Sequence, residues 1–120
     1  MAEQQHQTAT HSRVVKVESA VAWDMFIAKA KNQGSLVVVQ FTASWCMPSV
    51  AMEPFLEELA LIHKDILFLL VDVDEIKEVA SKMEIKAMPT FLVMKDGVAV
   101  DKLVGANPAE IKKRVLGLMN

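Results

Sequence analysis

The chain is expected to fold as an α/β domain in which a central mixed β-sheet is flanked by four helices. Three observations predict this. Strand-length apolar runs alternate with segments of helical periodicity along almost the whole chain. Two of those runs, residues 36–41 and 66–73, are nearly unbroken in apolar side chains, as strands covered on both faces must be. The alternation ends in two strand-like runs that follow each other directly across Lys95-Asp96-Gly97, a hairpin signal.

Taken in order, residues 14–17 read as a short strand. Ser19 then caps a helix whose Trp23, Phe26, Ile27 and Ala30 recur on one face, and Asn32-Gln33-Gly34 ends it. The strand at 36–41 leads into a second helix opened by Pro48, where the missing N–H costs nothing. Pro54 lies inside that helix and should kink it, and His63 falls near its end, where it can meet the last carbonyls. After the strand at 66–73, Ile76, Val79, Ala80 and Met83 mark a short third helix. Strands at 90–94 and 98–104 follow. Asn107 caps the last helix, with Pro108 at its first position, Glu110 completing a capping box, and Ile111, Val115 and Leu118 on its apolar face. Crossover helices require the early strands to pair in parallel, whereas the terminal hairpin is antiparallel.

A length of 120 residues suits one domain, and 52% hydrophobic residues argue for a packed core. The formal net charge of −2 comes from interspersed acids and bases, so no basic stripe points to nucleic acid. Residues 1–12 read as a polar, disordered tail before a domain at 13–120, with His6 and His11 as solvated side chains rather than a metal pair. The tail lacks the basic and apolar regions of a secretory signal, and the longest apolar run, 66–71, is too short to cross a bilayer. The cytoplasm is the expected compartment. A single cysteine agrees with this, since no internal disulfide is possible. Asp72, Asp74 and Glu75 read as solvated loop acids, not as a metal site.

The chemistry is expected at Trp45-Cys46-Met47-Pro48-Ser49, the junction between the second strand and the helix opened by Pro48. Ligands in α/β sheets favour the carboxyl ends of strands. A cysteine at the start of a helix also meets unpaired N–H groups and the positive end of the dipole, which favour thiolate over thiol. The alternative is an inert, buried cysteine acting as a small hydrophobe.

Phe41-Thr42-Ala43-Ser44-Trp45-Cys46-Met47-Pro48-Ser49 resembles the active-site segment of thioredoxins, whose usual core is Trp-Cys-Gly-Pro-Cys. Ala87-Met88-Pro89-Thr90-Phe91 is similar to that family's cis-proline segment. Val71-Asp72-Val73-Asp74, Lys95-Asp96-Gly97 and Val104-Gly105-Ala106 fall where thioredoxins place similar segments. The match covers roughly residues 14–119 and is strongest to the monocysteinic, Cys-x-x-Ser branch of plant h-type thioredoxins. The resemblance implies a thioredoxin fold, needing no cofactor or metal, with Cys46 as attacking sulfur and Ser49 as a hydrogen-bond donor to its thiolate. It implies that Pro89 is cis and faces Cys46, and that the Met88 backbone pairs with an extended client segment. Trp45, Met47, Pro48 and the loop Val104, Gly105, Ala106 would line the docking surface.

Three departures matter. Ser49 replaces the resolving cysteine, so no internal thiol can attack a mixed disulfide. Gln40 takes the place of the family's buried aspartate, and Leu70 that of a lysine which approaches it. The three agree with one another: without a resolving thiol the buried carboxylate has no task, and an unpaired one would cost several kcal/mol. The chain therefore reads as naturally monocysteinic. Its expected function is thiol–disulfide exchange with disulfide-containing client proteins through mixed disulfides. Release would fall to a client thiol, giving isomerisation, or to glutathione with glutaredoxin, giving reduction. The chain would act as a monomer or as a Cys46-linked dimer. A non-catalytic binding module that keeps the docking groove is the alternative. Iron–sulfur carriage by a glutathione-bridged dimer is disfavoured, because no basic glutathione-carboxylate site is evident around the motif.

Overall fold

A computed structural model describes residues 12–119. The polar tail and its His6 and His11 lie outside the described residues, apart from Ser12, whose Oγ accepts the Val14 N–H at 3.3 Å. The elements are β1 (Val14–Lys16), α1 (Ala20–Gln33), β2 (Val37–Thr42), α2 (Met47–Ala51), α3 (Glu53–Ile62), β3 (Leu67–Asp72), α4 (Lys77–Lys82), β4 (Thr90–Lys95), β5 (Val98–Val104) and α5 (Pro108–Leu118). They form one five-stranded sheet in the order β1-β3-β2-β4-β5. The β1–β3 and β2–β3 pairs are parallel, and the β2–β4 and β4–β5 pairs antiparallel. The sheet is therefore mixed, as the element order requires.

Helix ends follow the residues that cap them. The Ser19 side chain accepts from Ala22 N at 3.0 Å, and that of Asn107 from Glu110 N at 3.1 Å. Gly34 closes α1 in the left-handed region (φ 68°), where its N–H reaches the carbonyls of Ala30 and Lys31. The β4–β5 turn places Asp96 and Gly97 at φ 55° and 84°, the two positive values that a tight hairpin turn of matching twist demands.

The kink expected at Pro54 takes the form of a one-residue interruption at Met52, whose backbone stays in the right-handed helical region (φ −85°, ψ −10°). Pro54 has no N–H to offer the Val50 carbonyl, so the helix tightens one turn earlier: Met52 N bonds to Ser49 O at 3.2 Å. The chain starts again with Leu56 N on Met52 O at 3.2 Å. Thus α2 is only five residues long, a separate platform carrying the Cys46 motif, while α3 does the packing.

Alternation along the strands divides the core in two. On one face Trp23 and Ala30 of α1 and Ile76 and Val79 beside and within α4 cover Val37, Val39, Phe41, Leu69 and Val71. Trp23 and Phe41 meet with ring centroids 6.3 Å apart. On the other face Leu56 and Leu59 of α3 and Ile111 and Val115 of α5 cover Val38, Phe68, Phe91 and Val93. Central β2 is buried at every position, including the polar Gln40 and Thr42. Those two point to the α3 side together with Val38, two residues apart along the strand. Arg114 ties α5 to β5 through both oxygens of Asp101, at 2.8 Å each.

Leu56 is wholly buried, so Leu56→Ala is expected to cost about 2–5 kcal/mol. Removing the cap by Asn107→Ala is expected to cost about 1 kcal/mol. Urea unfolding checks both. A loss below about 1 kcal/mol for Leu56→Ala would mean that α3 is not anchored by this residue.

Candidate functional site

The site stands where β2 runs out. Thr42 is the last β2 residue, and Cys46 N turns back onto Ala43 O at 3.0 Å. This turn delivers Cys46 to the N-cap of α2, with an extended backbone (φ −101°, ψ 96°). The Cys46 carbonyl accepts Ser49 N at 3.0 Å and Val50 N at 3.1 Å. Pro48 has no N–H, so Met47 alone of this first turn keeps a free donor near the sulfur, and the Cys46 side chain makes no capping bond.

Cys46 is half-buried, and its thiol donates to the Met88 carbonyl at 3.4 Å. The Met88–Pro89 bond is cis. Pro89 is buried, and its carbonyl accepts Gly105 N at 2.9 Å. Three stretches far apart in sequence thereby meet: the 45–49 motif, the 87–90 segment and the loop after β5. Trp45, Met47 and Val104 are exposed at 64%, 67% and 65%, and Pro48 and Ala106 are exposed as well. Gly105 is half-buried. A partly covered sulfur within an apolar apron is a surface suited to another chain.

Ser49 goes to a different place from the one expected of it. Its side chain is wholly buried, and its hydroxyl donates to the Cys46 carbonyl at 2.7 Å, not to the sulfur. The Ser49 oxygen accepts Ala43 N at 3.2 Å and Thr42 Oγ1 lies 3.0 Å away, while Gln40 Nε2 donates to the Ser49 carbonyl at 2.7 Å. Thr42 also donates to the Glu53 carboxylate at 3.0 Å. Serine here is a bracket for the turn.

Gln40 lies opposite Leu70 on β3 and Phe91 on β4. Its Oε1 is buried without a hydrogen-bond partner among the described residues. Such an acceptor costs about 1–3 kcal/mol, yet an ionised carboxylate among the same neighbours would cost more. Leu70 brings no countercharge. The positions expected to carry the charged pair of two-cysteine thioredoxins thus stand side by side, both neutral.

Thr42, Glu53 and Asp74 were not anticipated as site residues. Thr42 could have been found from the strand period, which puts it on the same face as Gln40. Glu53 has no such signal, because its approach to Thr42 follows from the break at Met52. Asp74 accepts Trp45 Nε1 at 2.7 Å, holding an exposed indole beside the motif. The acids at 72–75 have structural tasks: Asp72 caps the turn through Asp74 N at 2.8 Å, and Glu75 pairs with Lys16 at 3.3 Å. Among the described residues no three His, Cys, Asp or Glu side chains gather as a metal would require. No helix among them is long and apolar enough to cross a membrane.

Gln40→Asp is expected to destabilise the protein by about 2 kcal/mol or more at pH 7. Burial raises the folded-state pKa of the new carboxyl above its unfolded value of about 3.9. The penalty is therefore absent below about pH 4 and grows as pH rises toward the folded-state pKa. Adding Leu70→Lys should recover part of the loss at pH 7. Urea titrations of the single and double variants at both pH values check this; a loss independent of pH would show that burial of charge is not the cause.

Residues 14–116 match the family model described as Thioredoxin. The chain is 63% identical over 108 residues to thioredoxin-like protein CXXS1 of Arabidopsis thaliana, covering 90% of this chain and 92% of that one. It is 52% identical to the CXXS1 protein of Oryza sativa subsp. japonica, covering 93% and 84%. Among solved structures it is similar to a poplar wild-type thioredoxin h, with a TM-score of 0.86 at 36% identity, covering 90% of this chain and 97% of that one. Fold, the lone cysteine beside a cis proline and these relatives converge: the chain belongs to the thioredoxin family of thiol–disulfide redox proteins, on its monocysteinic, h-type-like side.

Proposed function

We propose that the chain exchanges disulfides through Cys46 alone, acting on client proteins in the cytoplasm as an isomerase or as a glutathione- and glutaredoxin-dependent reductase. The observation that carries this reading is the contrast at one turn. Cys46 reaches the surface within an apolar apron, while Ser49 is sealed beneath it and holds no sulfur. The Cys46 thiolate attacks a client disulfide, one client sulfur leaves as thiolate, and a mixed disulfide forms. An extended client segment laid along the Met88 backbone would gain strand-like hydrogen bonds, with Trp45, Met47 and Val104 flanking the reacting sulfur. No second thiol of the chain can complete the cycle, so an external thiol must.

A second reading, a binding module using the same apron without chemistry, is favoured by the Cys46 thiol's bond to the Met88 carbonyl and by its lack of a capping bond. Alkylation kinetics separate the two. If Cys46 is a nucleophile, it should react with iodoacetamide at pH 7 about tenfold faster than glutathione does. Oxidised glutathione should then give one adduct by mass spectrometry, absent in Cys46→Ser and removed by glutaredoxin. Alkylation no faster than that of glutathione, with no adduct, would leave the binding module. Non-reducing electrophoresis of the same samples reports any Cys46-linked dimer.

A further inference from the structure

A thioether takes oxygen from a hydroperoxide only where the reagent reaches its sulfur, so exposure sorts the methionines of a folded chain. Apart from Met1, which lies outside the described residues, they divide clearly. Met52 and Met94 are buried in the core, and Met83 and Met88 are half-buried. Met25, Met47 and Met119 are exposed. Of these three, Met25 lies on α1 and Met119 follows α5, outside the stretches that meet at Cys46.

Met47 is the exposed methionine that belongs to the site. It is the first residue of α2, next to Cys46, and its side chain is 67% exposed. Among the described residues it joins neither core cluster, so the fold makes no use of its bulk. The Met88 carbonyl accepts the Cys46 thiol at 3.4 Å, so the reactive sulfur is bordered by two methionines, one open and one half-buried. With the exposed Trp45 and Val104, the Met47 thioether supplies apolar, pliable surface of the kind that fits varied partners.

We propose that Met47 is an oxidation site for hydroperoxides, whose sulfoxide makes the docking apron polar and turns away apolar client segments. This rests on the apron being the docking surface. In the step, the thioether lone pair attacks the outer oxygen of the hydroperoxide and the O–O bond breaks. The leaving oxygen keeps that electron pair and takes up the hydroperoxide's proton. Sulfur is oxidised by two electrons, the peroxide is reduced to an alcohol or to water, and no other reactant is needed. A client side chain laid on the sulfoxide would bury its oxygen without a hydrogen bond, which opposes docking.

The two neighbouring sulfurs differ in what restores them. A Cys46 oxidised to sulfenic acid condenses with one thiol and is freed by a second. The sulfoxide of Met47 is outside that chemistry and needs a reaction of the sulfoxide-reducing class. Oxidation at Met47 therefore outlasts oxidation at Cys46 wherever thiols are plentiful.

The full chain is first capped at Cys46 with methyl methanethiosulfonate, which adds only a methylthio group, and is then treated with hydrogen peroxide. Peptide mapping by mass spectrometry follows each methionine. Met47 is expected to gain oxygen about tenfold or more faster than Met52 or Met94. A rate no higher than theirs would overturn the proposal. Dithiothreitol then removes the cap and is itself removed. Thiopyridone release is timed with a peptide whose pyridyl-disulfide cysteine has apolar neighbours, and with dipyridyl disulfide, which covers little of the apron. After peroxide the peptide is expected to react about tenfold more slowly, and the small disulfide within about twofold of its former rate. Met47→Leu, compared only with itself before and after peroxide, is expected to show no slowing, although Met25 is still oxidised. Unchanged peptide rates after full oxidation of Met47, or equal slowing in Met47→Leu, would overturn the proposal. A sluggish Cys46 lowers the rates before and after peroxide alike and leaves their ratio readable, so failure of the exchange reading shows separately, in the alkylation rates.

Discussion

Beneath Cys46 the backbone makes a sharp passage from a buried strand into a short helix, and a serine side chain without contact to water holds that passage together. The Ser49 hydroxyl meets main-chain atoms of Ala43 and Cys46, and its carbonyl takes the amide of Gln40. Each end of the turn is thereby bound to β2, the most buried strand of the sheet. The backbone position of Cys46 follows from this bracket. The break at Met52 belongs to the same arrangement. Pro54 cannot continue the helix, so α2 is free to sit as its own platform, and Glu53 at the start of α3 meets Thr42 beneath it.

The loss of the second sulfur is more than a local substitution. A resolving thiol in the place of Ser49 would stand beside a buried base, and such a base needs a countercharge to remain in the core. Here Gln40 and Leu70 are adjacent across β2 and β3 and neither is charged. One unpaired amide oxygen remains as the cost of that exchange. The chain has given up the machinery for completing a redox cycle internally while keeping the apolar apron and the carbonyl of Met88 at the sulfur. Any exchange that begins at Cys46 has no second thiol of the chain to complete it.

Most of the fold was legible in the sequence, for identifiable reasons. Strands buried on both faces appear as unbroken apolar runs, and helices end where Ser19, Gly34, Asn107 and Pro108 satisfy or remove terminal backbone groups. The position of Cys46 at a strand–helix junction was equally plain. The depth of Ser49 was not. A hydroxyl beside a nucleophile invites a bond to the sulfur, and only the backbone path shows that its proton is taken by the Cys46 carbonyl. Glu53 was invisible for a related reason: the sequence announces a kink at Pro54, but the direction in which the helix restarts depends on how α3 packs Leu56 and Leu59 against the sheet.

What the sequence alone determined is composition and order: one thiol, no internal resolving cysteine, Gln40 and Leu70 in place of a charged pair, and an alternation of elements that admits few topologies. Those are properties of residue types and their spacing, and packing cannot alter them. What only the tertiary structure decided is what surrounds that sulfur. Met88 lies 42 residues from Cys46 in the chain and yet accepts its thiol proton, and Val104, more distant still, helps to frame the exposed side. Such contacts arise from the pairing of β4 between β2 and β5, a long-range arrangement set by burial of two faces at once, on which local spacing is silent.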